Sequence, residues 1–195
     1  MNVLEEAIEF ATKAHAGQVR KMSGIPYILH PAEVASIIAT MTDDLEIMAA
    51  GMLHDTVEDC GISPDEIRSK FGPRVYALVM AETEDKMVAL SPEDTWMTRK
   101  EDSLVVLRAT KDLGVKIMWL ADKLSNMRSF YLEYAKSGDA MWQALHQKDP
   151  AMHRWYYQSI ADILKPDLGQ TEAFHEYQEL IYKIFGEEGD SVGTD

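Results

Sequence analysis

The segment LHDTVED holds the chemically richest stretch of the chain: His54-Asp55 and, one helical turn later, Glu58-Asp59. Imidazole beside carboxylate suits a borderline-to-hard divalent cation such as Mn, Fe, Zn or Mg. Glu58 follows His54 by four residues and Asp59 follows Asp55 by four, so on a helix both pairs share a side. The approach, AAGML, is wholly apolar. Four ionisable groups on one turn of such a helix are costly to bury without a cation. The bland alternative is a solvated helix end with a chance His-Asp pair; the apolar approach and the acidic pair at this spacing weigh against it.

Two further segments offer ligands. His30, in PYILHP, stands where a proline-containing loop meets a helix and can point into a site; alone, a His before Pro is more often a cap or a packed side chain. Asp122 interrupts the apolar run IMWLAD and needs a partner, either a metal or a neighbouring Lys or Arg. Asn126 shares its face at i+4. A divalent metal on His30, His54, Asp55 and Asp122 would acidify a water. Glu58 and Asp59 would orient that water and take its proton. Arg20, Lys21, Arg99, Lys100, Lys123 and Arg128 are the candidate counter-charges for substrate phosphates, each otherwise a solvated side chain. Arg20 can instead stack its planar guanidinium on a base.

These residues have to be positioned by helices. Leu4, Ala7, Ile8, Ala11 and Ala14 form one helical stripe over residues 3–15. A loop with Gly17, Gly24 and Pro26 follows, then a helix from about Pro31 to Met41. Thr42, Asp43 and Asp44 offer N-caps for one continuous, central buried helix through LEIMAAGMLHDTVED. Gly61 ends it, and Ser63-Pro64-Asp65-Glu66 opens the next with Ser as N-cap and Pro at the first helical position. Phe71-Gly72-Pro73 breaks that helix and starts RVYALVMAETED. Ser91-Pro92 starts a long helix to about Leu113, and Gly114 separates it from VKIMWLADKLSNMRSFYLEYA. Gly138-Asp139 marks another start, Pro166 an end, and a last helix spans about 171–185. No strand alternation or internal repeat is present. The expected fold is all-α.

Composition fixes the class. The 195 residues, 46% apolar, suffice for one domain with a full core. No run approaches the length a membrane span needs, and the acidic N-terminus is unlike a signal peptide. The single cysteine, Cys60, agrees with a reducing, cytoplasmic setting. A net charge of −14 disfavours nucleic-acid backbones and anionic membranes, yet allows a small phosphorylated substrate in one locally basic cleft. The twelve methionines read as gap-fillers between helices. Trp142, His146, His153, Trp155, Tyr156 and Tyr157 read as core or as a subunit interface, the latter giving a homodimer. His146 and His153, seven apart, read as packing or surface residues. The tail GEEGDSVGTD is acidic and apolar-poor, which predicts disorder over 187–195.

The order His30, His54-Asp55, Asp122 is that of the HD-domain phosphohydrolases. HAGQVRK, PYILHP, LHDTVED, FG followed by LV, and LADKLSNMR resemble the hydrolase domain of the RelA/SpoT alarmone enzymes and the free-standing small alarmone hydrolases. The resemblance runs from about His15 to Arg128. It implies a single compact multi-helix HD-domain bundle over 1–186, with the metal-site core at about 15–128 and additional helices at about 139–185. It also implies a manganese-dependent 3′-pyrophosphohydrolase that cleaves guanosine tetraphosphate to GDP and pyrophosphate. His30, His54, Asp55 and Asp122 match the family's metal ligands, Glu58 and Asp59 its catalytic acidic pair, Arg20, Lys21 and Asn126 its nucleotide contacts. Lys100 and Lys123 are further candidate substrate contacts. Two departures bear on the substrate. RKMSGIPY carries one more residue than the commonest form, and MAETEDK, with Glu82, Glu84 and Asp85, replaces a GVTK-like sequence. The alternatives are an HD phosphohydrolase for another nucleotide and a non-catalytic nucleotide sensor.

Overall fold

The structure is a computed structural model that describes residues 1–83 and 91–186. Its helices are α1 (Val3–Ala14), α2 (Leu29–Ile38), α3 (Leu45–Leu53), α4 (Thr56–Cys60), α5 (Pro64–Met80), α6 (Pro92–Ala109), α7 (Leu113–Ser137), α8 (Pro150–Leu168) and α9 (Glu172–Phe185), with a 3-10 turn at Gly138–Ala144. Among the described residues there is no strand; one isolated bridge pairs Val19 with Pro26 in the α1–α2 loop. The protein is all-α, as its sequence predicts. Among those residues no helix is long and apolar enough to cross a membrane.

Local chemistry sets most helix starts. The side chains of Asp44, Ser63, Ser91 and Thr171 each accept a backbone N–H from the first turn of α3, α5, α6 and α9. Pro stands at the start of α5, α6 and α8. Inside α5, Gly72 swings to φ 88°, the kink expected at Phe71-Gly72-Pro73.

Three expectations need correction. The central helix is not continuous: it stops at Leu53 and resumes at Thr56. His54 Nδ1 donates to Gly51 O at 2.8 Å and Thr56 Oγ1 donates to Leu53 O at 2.7 Å, so side chains take carbonyls at the end of α3. Asp55 opens to φ −92°, ψ −4°. Gly114 does not separate two helices but lies in the first turn of α7, which Asp112 caps. A Cβ there would meet Ile47 Cδ1 at 3.1 Å and Leu78 Cδ2 at 3.2 Å, so the glycine serves close packing. The helix expected from Gly138-Asp139 to Pro166 has neither bound: a 3-10 turn stands at Gly138–Ala144, α8 starts at Pro150 behind the cap Asp149, and it runs past Pro166 to Leu168. The predicted helical residues Glu84 and Asp85 and the predicted disordered tail lie outside the described residues.

The core forms around α3 and α7. Every residue of α3 from Ile47 to Leu53 is buried, as is nearly every residue of α7 from Gly114 to Ser125. α1 and α2 pack on α3, while α9 and α8 pack on α7. Trp142 stacks on His153 and Phe185, and Phe130 meets Trp142, His153 and Tyr157 edge-on. The aromatic cluster is therefore largely internal.

Candidate metal centre and cleft

Three elements bring the predicted ligands together. His30 comes from the first turn of α2, His54 and Asp55 from the break between α3 and α4, and Asp122 from mid-α7. Donor atoms of His30, His54 and Asp122 all lie within 4.8 Å of one another, and all three residues are buried. His30 Nε2 is 3.0 Å from Asp122 Oδ1 and 3.6 Å from Asp55 Oδ2. His54 Nε2 is 2.9 Å from Asp55 Oδ2 and 3.6 Å from Asp122 Oδ1.

Proton positions follow from the surrounding bonds. His54 Nδ1 donates to Gly51 O, so in the neutral ring Nε2 carries a lone pair. Ser125 Oγ gives its single proton to Glu33 Oε2 at 2.6 Å and therefore accepts from His30 Nδ1 at 2.8 Å. His30 Nε2 then also carries a lone pair. Two imidazole lone pairs face two carboxylates, and buried His54 Nε2 has no hydrogen-bond partner. Two imidazole nitrogens and two carboxylates converging on one buried point form a donor set that first-row divalent metals accept.

Neighbouring groups orient both carboxylates. Tyr27 Oη donates to Asp55 Oδ2 at 2.6 Å. Asn126 Nδ2 donates to Asp122 Oδ1 at 2.8 Å, and the Lys123 ammonium takes Asp122 Oδ2. Burial opposes ionisation of Asp122, but Lys123 and the imidazoles outweigh it and hold its carboxyl well below the usual range. Burial likewise opposes ionisation of Asp55, and His54 and His30 outweigh it. Burial lowers His30. At His54 burial is outweighed by Asp55 and Asp122, which raise the imidazole. Glu82 is pushed up to about 7, first by burial and then by Asp122. Neither of its oxygens has a hydrogen-bond partner; Oε1 lies 3.6 Å from Lys123 Nζ.

Beside this cluster opens a cleft of about 780 Å³ whose lining includes Arg20, Lys21, Tyr27, Glu58, Asp59 and Asn126. Arg20 Nη2 donates to Asn126 Oδ1 at 3.1 Å and to Ser129 Oγ at 3.0 Å, and its guanidinium lies 5.7 Å from the Tyr27 ring centre. Asn126 thus joins Arg20 to Asp122. Arg99, Lys136 and His146 also line the cleft, and Lys21 Nζ donates to His146 Nε2 at 3.1 Å.

The other basic candidates lie elsewhere. Lys123 is buried against Asp122 with its ammonium 4.7 Å from the Trp119 ring centre, and Lys100 lies 4.9 Å over the Tyr156 ring. Neither belongs to the lining of this cleft. Arg128 is engaged by Glu33 and Glu176. His146 and His153 do not share a face: the first borders the cleft, and the second is buried on α8, its Nε2 bonded to Gln147 O at 2.9 Å. Sequence reasoning passed over Tyr27, Ser125 and the cleft position of His146. Tyr27 alone had a local signal, its place three residues before His30 in PYILHP.

A family profile described as HD domain matches residues 7–150. A probable GTP pyrophosphokinase of Mycobacterium leprae is 34% identical over 95% of this chain and 23% of its own length. The guanosine-3′,5′-bis(diphosphate) 3′-pyrophosphohydrolase of Vibrio cholerae is 37% identical over 66% of this chain and 18% of its own. The chain thus spans less than a quarter of the length of these curated relatives. Among solved structures, a Listeria monocytogenes EGD-e protein superposes with a TM-score of 0.70 at 31% identity, covering 81% of this chain and 99% of that one. A metazoan SpoT ortholog that hydrolyzes ppGpp superposes with a TM-score of 0.73 over 94% of this chain and 95% of that one; at 24% identity this is a likeness of fold.

Proposed function

The chain belongs to the HD-domain family and is related to the RelA/SpoT hydrolase domains, and on that premise we propose that it is a metal-dependent guanosine-3′,5′-bis(diphosphate) 3′-pyrophosphohydrolase. The observation that carries the metal part is the gathering of two imidazole lone pairs and two carboxylates around a buried, unpartnered His54 Nε2. In this reading His30, His54, Asp55 and Asp122 hold a divalent cation, manganese by preference. When bound, it supplies Lewis acidity at the phosphorus and makes water a stronger acid.

The protein's own groups do the rest. Glu58 and Asp59, at the cleft wall on α4, orient the attacking water and accept its proton. Arg20, held by Asn126 and Ser129, presents a guanidinium plane to the base. Lys21 and Arg99, on the same lining, balance phosphate charge. Water attacks phosphorus of the 3′ diphosphate, the bond to the 3′ oxygen breaks, that oxygen takes up the proton the acidic pair accepted, and GDP and pyrophosphate leave. The related pyrophosphohydrolases support this choice of substrate.

The test is to incubate metal-stripped protein with guanosine tetraphosphate and manganese, beside a panel of ordinary and deoxynucleotides. Manganese-dependent release of GDP and pyrophosphate supports the assignment. Cleavage of a different nucleotide alone would keep the metal site and move the substrate. Tight alarmone binding without turnover would make the protein a sensor.

A further inference from the structure

We infer that Ser125, Glu33, Arg128 and Glu176 form a positioning chain that ties α9 to His30 and sets the metal affinity of the site, an inference that rests on the metal reading above. The links are continuous. His30 Nδ1 donates to Ser125 Oγ at 2.8 Å, and Ser125 Oγ donates to Glu33 Oε2 at 2.6 Å. Glu33 Oε1 accepts from Arg128 Nη1 at 2.9 Å. Arg128 Nε and Nη2 fork onto the two oxygens of Glu176, each at 2.6 Å.

The direction of every proton is fixed. Arginine only donates and carboxylates only accept, so Ser125 must spend its one proton on Glu33. Its oxygen can then only accept, which places the His30 proton on Nδ1 and the lone pair on Nε2. Without the Ser125 hydroxyl, the ring is free to carry its proton on Nε2 instead. That proton would point at Asp122 Oδ1, 3.0 Å away, and fill the space a cation needs. The chain therefore selects the tautomer that can bind metal. Its inner link is buried, whereas Glu33, Arg128 and Glu176 are each about one-third exposed, so its influence weakens outward.

Two measurements test these links on the 195-residue protein. The first is calorimetric titration of metal-stripped protein with manganese chloride. The second is nitrogen-15 NMR of the His30 ring without metal. Ser125→Ala is expected to weaken manganese binding about ten- to a hundredfold and to move His30 off the Nδ1–H tautomer. Ser125→Thr restores both, and Glu176→Gln produces a smaller loss of the same kind. Lys116→Gln, which breaks the Lys116–Asp167 pair elsewhere on α7, should lower the melting temperature and change neither readout. If Ser125→Ala bound manganese as the wild type does, with His30 in the same tautomer, the chain would be refuted. A wild-type protein that takes up no manganese would sink the metal reading instead, and the tautomer would still decide whether Ser125 directs His30.

Discussion

Asp55 is held from three sides: Tyr27 donates to its Oδ2, and two imidazole nitrogens approach the same oxygen. Asp55→Asn keeps the shape and removes the charge. Steady-state assays with manganese should show turnover reduced by roughly two orders of magnitude or more, with weakened metal binding; full activity would refute the proposed mechanism. Tyr27→Phe removes only the hydroxyl. Its expected effect is about a tenfold loss in manganese affinity with an unchanged circular-dichroism spectrum. At this scale the sequence was informative where residue type carries chemistry. Histidine and aspartate in apolar surroundings announce themselves, and His30, His54, Asp55 and Asp122 do converge. Tyr27 and Ser125 stayed hidden because hydroxyls are ordinary at a loop or on a helix. Only the three-dimensional approach of α2 to α7 gives Ser125 its partner 95 residues away.

Helix starts were legible because a cap is local: Ser63, Ser91 and Thr171 act within three residues of themselves. The interruption at His54-Asp55 was not, because it arises where those side chains leave the helical pattern to meet α2 and α7. Gly114 was misread for the same reason: its smallness answers to the distant Ile47 and Leu78 as well as to the nearby cap Asp112. Gly51 is a second such contact. A side chain there would collide with Ile38 and press on Val34 Cγ1 at 3.3 Å, across the α2–α3 seam that carries His30 and His54. Gly51→Val is expected to cost about 1–3 kcal/mol in urea unfolding. A second prediction concerns α8. Burial lowers the His153 pKa, with nearby Lys100 acting in the same direction, against Gln147 O and Asp149. The imidazole is thus neutral in the folded protein, and its contribution is complete above the unfolded value of about 6.5. That contribution is lost as pH falls through the lower folded value. His30 and Glu82 also titrate with shifted values, so the wild type must be compared with His153→Gln. The stability difference between them should shrink on acidification below pH ~6.5. A constant difference would assign His153 a packing role alone.

At the level of the whole molecule, the four candidate ligands come from α2, the α3–α4 break and α7, so a bound cation would cross-link the centre of the core. Manganese at a hundred times its dissociation constant should stabilise the fold by about 2.7 kcal/mol, a rise in melting temperature on the order of 5–10 °C for a chain of this size. Chelator should reverse it, and a melting curve indifferent to both would count against the site. The all-α class was legible from the absence of alternation and the density of caps. The wrapping of α8 and α9 onto α7 was not, because amphipathic helices carry no address for the face they cover. That wrapping has a consequence in time. Arg128 meets Glu176 across 48 residues of sequence. At a synthesis rate of about 5–20 residues per second, Arg128 leaves the ribosome roughly 2–10 s before its partner. A nascent chain can gather His30, His54 and Asp122 during that interval, but the clasp between Arg128 and Glu176 closes only when α9 has been made.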